Sequence, residues 1–113
     1  KIVKILNLKK RKKMNIFLKK NKKKKIVILD IPLLLENKIN KKHDILIFVQ
    51  SKKKDILKRL KKRESYNKKL LNRFRKIQFT ASYKKKKSQF IIVNNFTKKS
   101  VRNSVKKILK EIL

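Results

Sequence analysis

An α/β fold, with parallel strands flanked by helices, is what this sequence predicts, and two observations carry the prediction. Three short runs, at 26–30, 45–49 and 90–93, are apolar at nearly every position and rich in β-branched residues. A strand apolar on both faces belongs in a parallel sheet covered on both sides, since a half-exposed strand alternates apolar with polar residues. Between and after these runs, apolar residues recur at helical spacing, and strands alternating with helices mark the α/β class.

In chain order, residues 9–21 read as a helix with Met14, Phe17 and Leu18 inward. Lys22 to Lys25 read as a solvated turn before the first strand. Ile26 to Leu29 then run into Asp30, and Pro32 stops further ladder pairing and begins a loop or helix. The second strand is 45–49. Residues 52–63 place Ile56, Leu57 and Leu60 on one helical stripe, and residues 67–79 do the same with Leu70, Leu71, Phe74 and Ile77. Lys84 to Lys87 read as a solvated entrance to the third strand, 90–93. The last helix has Val101, Val105, Ile108, Leu109 and Ile112 on its inner face, with Thr97 or Ser100 placed to cap it.

The chain has 113 residues, enough for one compact unit, and is 40% apolar. It has no cysteine, which excludes disulfides and thiolate metal sites. Its apolar runs are far too short to span a bilayer and no signal-peptide stretch opens it, so a cytoplasmic chain with no membrane partner is expected. Lys1 stands where a methionine would begin a complete chain, which fits a fragment.

Thirty-nine Lys and Arg against 6 Asp and Glu give a formal charge of +33. One reading is a small basic, non-catalytic RNA- or ribosome-associated protein, because polyanions reward clustered cations. The other is codon composition. Lysine outnumbers arginine 33 to 6, Ile and Asn abound, glycine is absent, and the lysines interleave with apolar residues along the whole chain. The second reading is preferred and implies no specific nucleic acid, although weak binding to RNA at low salt follows from either. A third option is attachment to an anionic membrane surface through the basic amphipathic last helix.

In an open parallel sheet, ligands sit beyond the carboxyl ends of strands, which makes Asp30 a candidate for chemistry as well as for a helix cap. Several stretches extend the pattern: LDIPLLLE at 29–36, Asp44 before a strand, LKRLKKR at 57–63, Gln78, and FIIVNN at 90–95. Together, across most of residues 11–113, they resemble the dephospho-CoA kinase family, whose members carry a strand ending D-x-P-L-L-[FL]-E. Those proteins also have two arginines at R-L-x-x-R, a lid helix ending in Gln, and a late strand ending in Asn. The resemblance implies the C-terminal fragment of a single P-loop kinase domain, with a lid-like segment at about 64–87. The implied activity is ATP-dependent phosphorylation of the ribose 3′-hydroxyl of dephospho-CoA, the last step of coenzyme A synthesis, with ATP and Mg²⁺ as cofactors.

By the same resemblance Arg63 and Arg59 serve catalysis by binding phosphate oxygens from one helical face, which suits planar guanidinium groups. Asp30 stands near Mg²⁺ and holds it through water, with no direct metal ligand in the chain. Asn94 and Asn95, with Arg63, lie on the ATP side near the adenine. Leu33, Leu34 and Glu36 line or brace the acceptor side, and Arg11 falls at the arginine of an H-P-x-x-R motif whose first two positions here read Asn7 and Leu8. The family's G-x-x-x-x-G-K-[ST] loop has no counterpart in a chain without glycine, nor has its general base. The chain alone is therefore expected to be inactive. Family members order their strands 2-3-1-4-5, and the three runs here correspond to strands 3, 4 and 5. Strand 3 at 26–30 must stand apart, pair unusually with strand 4, or await another chain, and its exposed edge favours a molten or poorly soluble protein. His43 reads as a loop residue, and Tyr66, Phe74, Phe79 and Tyr83 as inward-facing rings of the lid.

Overall fold

The computed structural model describes residues 2–64 and 66–113, with side chains from residue 9 onward. The chain forms two units, residues 1–41 and residues 42–113.

The first unit opens with helix α1, Ile2–Lys20. Asn21 ends it: its backbone N–H and its side-chain Nδ2 both donate to Phe17 O, at 3.1 and 2.8 Å, satisfying a carbonyl with no intrahelical partner. Of the three residues expected inward, Met14 is buried and Leu18 half-buried, whereas Phe17 is exposed. Among the described side chains of this unit only Ile39 joins Met14 in being buried, so α1 has little apolar surface on which to seat a wider stripe.

Residues 26–30 do not form the expected strand. No other strand lies beside them among the described residues, and Ile28, foreseen as buried, is 81% exposed. A strand exists by virtue of its neighbours' N–H and C=O groups, and this run has the composition without the neighbour.

Of the loop or helix expected after Pro32, the chain forms a hydrogen-bonded turn over residues 32–38. Asn37 N–H donates to Leu33 O, Lys38 N–H to Leu35 O and Ile39 N–H to Leu34 O, at 3.0 to 3.1 Å. The last two are the paired bonds of a Schellman closure, which needs a left-handed residue, usually glycine. Lys38 fills that place with φ 52°, and Leu33 after the proline has φ 55°. Each such residue costs roughly 1–2 kcal/mol. Burial of Ile39, the residue that follows the closure, helps offset that cost.

The second unit runs β1 Ile47–Gln50, α2 Lys53–Lys61, α3 Lys68–Ile77, α4 Ala81–Lys87, β2 Phe90–Val93 and α5 Lys98–Ile112. β1 and β2 pair in parallel, Ile47 beside Phe90 through Gln50 beside Val93, and the three helices between them form the crossover a parallel pair requires. The chain is thus α/β, as its pattern predicts. Pairing continues past the strand ends. Gln89 N–H donates to Leu46 O at 2.9 Å, Leu46 N–H to Gln89 Oε1 at 2.6 Å, and Asn94 N–H to Gln50 O at 2.8 Å.

α5 packs on β2, burying Ile108 and Ile92. Phe90 and Ile92 face one side of β2, and Ile91 and Val93 the other. The second side remains open, with Ile91 42% and Val93 56% exposed.

Two of the three crossover helices, α3 and α4, are capped by side chains, whereas Lys52 at the start of α2 makes no such bond. Asn67 Oδ1 accepts from the N–H groups of Lys69 and Leu70, and Thr80 Oγ1 from that of Tyr83. Lys84 to Lys87 therefore form the last turn of α4 rather than a solvated turn. Lysine is a good helix former, and cations suit a helix carboxyl end. The expected inward stripe of α3 faces solvent instead, with Ile77 62% exposed and Leu70 and Phe74 also exposed. Phe79 and Tyr83, expected inward, are exposed too, and Tyr66 is half-buried.

Two outcomes are expected. Lys38→Gly should raise stability against urea by about 1 kcal/mol by removing the left-handed penalty. With four buried apolar side chains described and many exposed, the purified chain should bind an apolar dye such as ANS and melt broadly. A sharp calorimetric transition without dye binding contradicts the second.

Candidate functional site

Both strands of the second unit end on the same side, as parallel strands must, and both run into polar segments there: Ser51 after β1, and Asn94, Asn95, Phe96 and Thr97 after β2. This is the edge at which α/β sheets bind ligands.

The loop after β2 is shaped by its two asparagines. Asn94 sits between the strands, its N–H on Gln50 O and its carbonyl accepting from Ser51 Oγ at 3.2 Å. Its side-chain Oδ1 accepts from Phe96 N–H at 2.9 Å, closing an Asx turn. Asn95 Oδ1 accepts from both the N–H and the hydroxyl of Thr97, at 3.1 and 2.7 Å. Thr97 occupies the N-cap position of α5 as expected, but its hydroxyl is turned back to Asn95 and does not cap the helix.

Phe96 is driven by this turn to φ 63°. Its half-buried ring lies under the Arg59 guanidinium, whose central carbon is 3.7 Å from the ring centroid. The left-handed backbone costs roughly 1–2 kcal/mol. One Asx hydrogen bond of about 1 kcal/mol and a cation–π contact of about 0.5–1 kcal/mol offset it.

Around this stack lies an open pocket of about 520 Å³, within the usual range for small-molecule sites. Asn94, Phe96, Val101 and Val105 supply its wall, and Arg59, Lys98, Arg102 and Lys106 its cations. No acidic residue lines it. Lys98, Arg102 and Lys106 are spaced four apart along α5, so they stand in one row beside Val101 and Val105. An apolar floor with a cationic rim suits a ligand that is flat at one end and multiply anionic at the other.

Of the residues singled out from sequence, Arg59 and Asn94 meet in this pocket, while Asn95 shapes its loop without lining it. Arg63 is exposed and lies beyond the end of α2, which stops at Lys61, and it is not among the lining residues. The shared helical face expected for Arg59 and Arg63 is therefore not formed. Phe96, Lys98, Arg102 and Lys106 were missed. The four-residue spacing of the three cations is a signal present in the sequence, whereas nothing in it marks Phe96.

The remaining candidates belong to the first unit. Arg11 Nη2 donates to Asn37 O at 3.0 Å and lies 3.5 Å from Lys38 O, so its guanidinium holds the carbonyls that end the 33–38 turn. Leu33, Leu34 and Glu36 are half-buried within that turn, and both Glu36 carboxylate oxygens are shielded from solvent. Asp30 is exposed just before it. The side chains of Asn7 and Leu8 lie outside the described residues. Among the described residues no group of three or more His, Cys, Asp or Glu could hold a metal ion, and no helix is long and apolar enough to cross a membrane.

The family model for dephospho-CoA kinase matches residues 4–100. A curated dephospho-CoA kinase from Wolbachia pipientis wMel is 34% identical over 100 residues, covering 87% of this chain and 51% of the relative. The chain thus spans about half the length of that relative. No solved structure matches.

Asn94→Ala is expected to loosen the loop by about 1 kcal/mol. Hydrogen exchange at the Phe96 amide should accelerate several-fold while amides in the middle of α5 keep their rates. An unchanged Phe96 rate contradicts the Asx turn.

Proposed function

We propose, from the premise that this chain belongs to the dephospho-CoA kinase family, that the protein transfers the γ-phosphoryl group of ATP to the ribose 3′-hydroxyl of dephospho-CoA. The observation that supports this beyond the match itself is the pocket at the carboxyl ends of β1 and β2, with its apolar floor and four cations.

In the reaction a bond forms between the 3′-oxygen and the γ-phosphorus, the bond from that phosphorus to the β–γ bridging oxygen breaks, and ADP leaves. The hydroxyl proton passes to a general base. Such transfers depend on positioning and on neutralising phosphate charge rather than on covalent work by the protein. In this reading Asn94 and Asn95 hold the loop against which the nucleotide base rests. Arg59 presents its flat face to rings and its N–H edge to phosphate, since a guanidinium carries its donors in its plane. Arg63, just past α2, neutralises charge on the transferring group.

On the acceptor side, Arg11 holds the turn that carries Leu33, Leu34 and Glu36, and that turn braces dephospho-CoA. The anionic-ligand chemistry of the pocket fits ATP. Mg²⁺ supplies charge neutralisation on the β- and γ-phosphates when bound, and Asp30 contributes to it through water. Residues 1–113 form one part of a single kinase domain in which 64–87 serve as a lid. The chain works in the cytoplasm and is inactive without a phosphate-binding loop.

Joining the chain to the unmatched part of the Wolbachia relative should give ATP-dependent 3′-phosphorylation of dephospho-CoA. Arg63→Ala should lower kcat by about 10²- to 10³-fold in that protein. Undiminished turnover in the variant removes Arg63 from the site, and a folded chimera without activity counts against the kinase reading.

The basic RNA-binding reading has one observation in its favour. The Phe79 and Tyr83 rings, 5.1 Å apart and edge-to-face, are exposed, and Lys87 Nζ lies 5.6 Å from the Tyr83 ring. Binding to a poly(U) oligonucleotide should be weak and fall steeply with salt. Persistence of tight binding at about 0.5 M salt would make nucleic acid a specific partner.

A further inference from the structure

Resting on the nucleotide reading above, we infer that Phe96 and Arg59 form a two-sided clamp for a planar base, with Phe96 the residue by which this pocket distinguishes a nucleotide from a bare polyphosphate. Phe96 stands at φ 63°, a backbone position that favours glycine or asparagine. Nothing about the turn itself requires an aromatic there, because the Asx bond uses only its backbone N–H. What the phenylalanine contributes is a ring, placed on the pocket wall and covered at 3.7 Å by the Arg59 guanidinium.

A guanidinium stacked on a ring at that distance occupies the space a nucleobase needs. It does so with the same kind of flat, delocalised surface. Arg59 is exposed at the end of a flexible stem on α2, so it can move outward by rotation of its side chain alone. A base then rests on Phe96 and receives the guanidinium on its other face, which keeps the cation–π attraction and adds base stacking.

The rest of the lining sets the ligand's direction. Val101 and Val105 flank the stack, and Lys98, Arg102 and Lys106 form a row of cations along α5. With no acidic residue in the lining, cationic and zwitterionic ring compounds gain nothing there. A base carrying a chain of phosphates matches both ends of the pocket.

The clamp separates two contributions to affinity. The cations serve any polyphosphate, while Phe96 serves the base alone. Titration of the full 113-residue chain with ATP, UTP and inorganic tripolyphosphate, followed by nuclear magnetic resonance, reads both. The native chain should bind ATP about tenfold more tightly than tripolyphosphate, with UTP between them because a pyrimidine offers less stacking area. Phe96→Asn keeps a residue tolerant of the left-handed backbone and removes the ring. It should erase the ATP advantage while leaving tripolyphosphate affinity within about twofold, and Phe96→Tyr should keep that advantage.

If ATP keeps its advantage in Phe96→Asn, the clamp is overturned while the nucleotide reading stands. If ATP and tripolyphosphate bind the native chain equally, the pocket takes no base and both fall. Loss of tripolyphosphate binding in Phe96→Asn would mean that the ring supports the fold instead, and overturns the clamp as well.

Discussion

The parallel pairing of Ile47–Gln50 with Phe90–Val93 governs everything that can be said about a site in this chain. Because the strands run the same way, their carboxyl ends lie side by side, and the residues after each meet without further arrangement. The ladder extends one bond beyond the strands, from Asn94 N–H to Gln50 O, and Ser51 Oγ reaches Asn94 O across the same gap. Asn94 is thus pinned between two segments more than forty residues apart in sequence. The turn it makes with Phe96, and the ring beneath Arg59, inherit their positions from that pin.

The absence of glycine leaves its mark at three places. Leu33, Lys38 and Phe96 occupy left-handed backbone that glycine ordinarily takes. Each is tolerated through neighbouring contacts. Lys38 closes a Schellman pair of hydrogen bonds with buried Ile39 following it, Leu33 accepts from Asn37 N–H in the same turn, and Phe96 is held by an asparagine and an arginine. The backbone thus accommodates the lack of glycine at these positions by local hydrogen bonds.

The chain is short of apolar partners rather than of apolar residues. Four apolar side chains are buried among those described, and the open side of β2, the stripe of α3 and Ile28 all meet solvent. Sheets and helices of this composition normally cover one another, since each buried methylene contributes about 0.8 kcal/mol. The relative that this chain matches is about twice the length of the matched region.

The sequence by itself determined the α/β class, two of the three strands and the stretches that would be helical, because apolar periodicity reflects which face an element will bury. It also carried the family, through the order and spacing of LDIPLLLE, LKRLKKR and FIIVNN. Strand formation at 26–30 was not legible, because a strand requires a neighbour and composition cannot supply one. Nor was the lysine run of α4, whose helicity depends on the Thr80 cap. Only the tertiary structure decided that Arg59 enters the pocket while Arg63 stands beyond the end of α2, and that Phe96 is part of the wall. Four residues of spacing fixes which side chains share a helical face only while the helix continues. Which ring a guanidinium covers depends on segments that sequence distance keeps far apart.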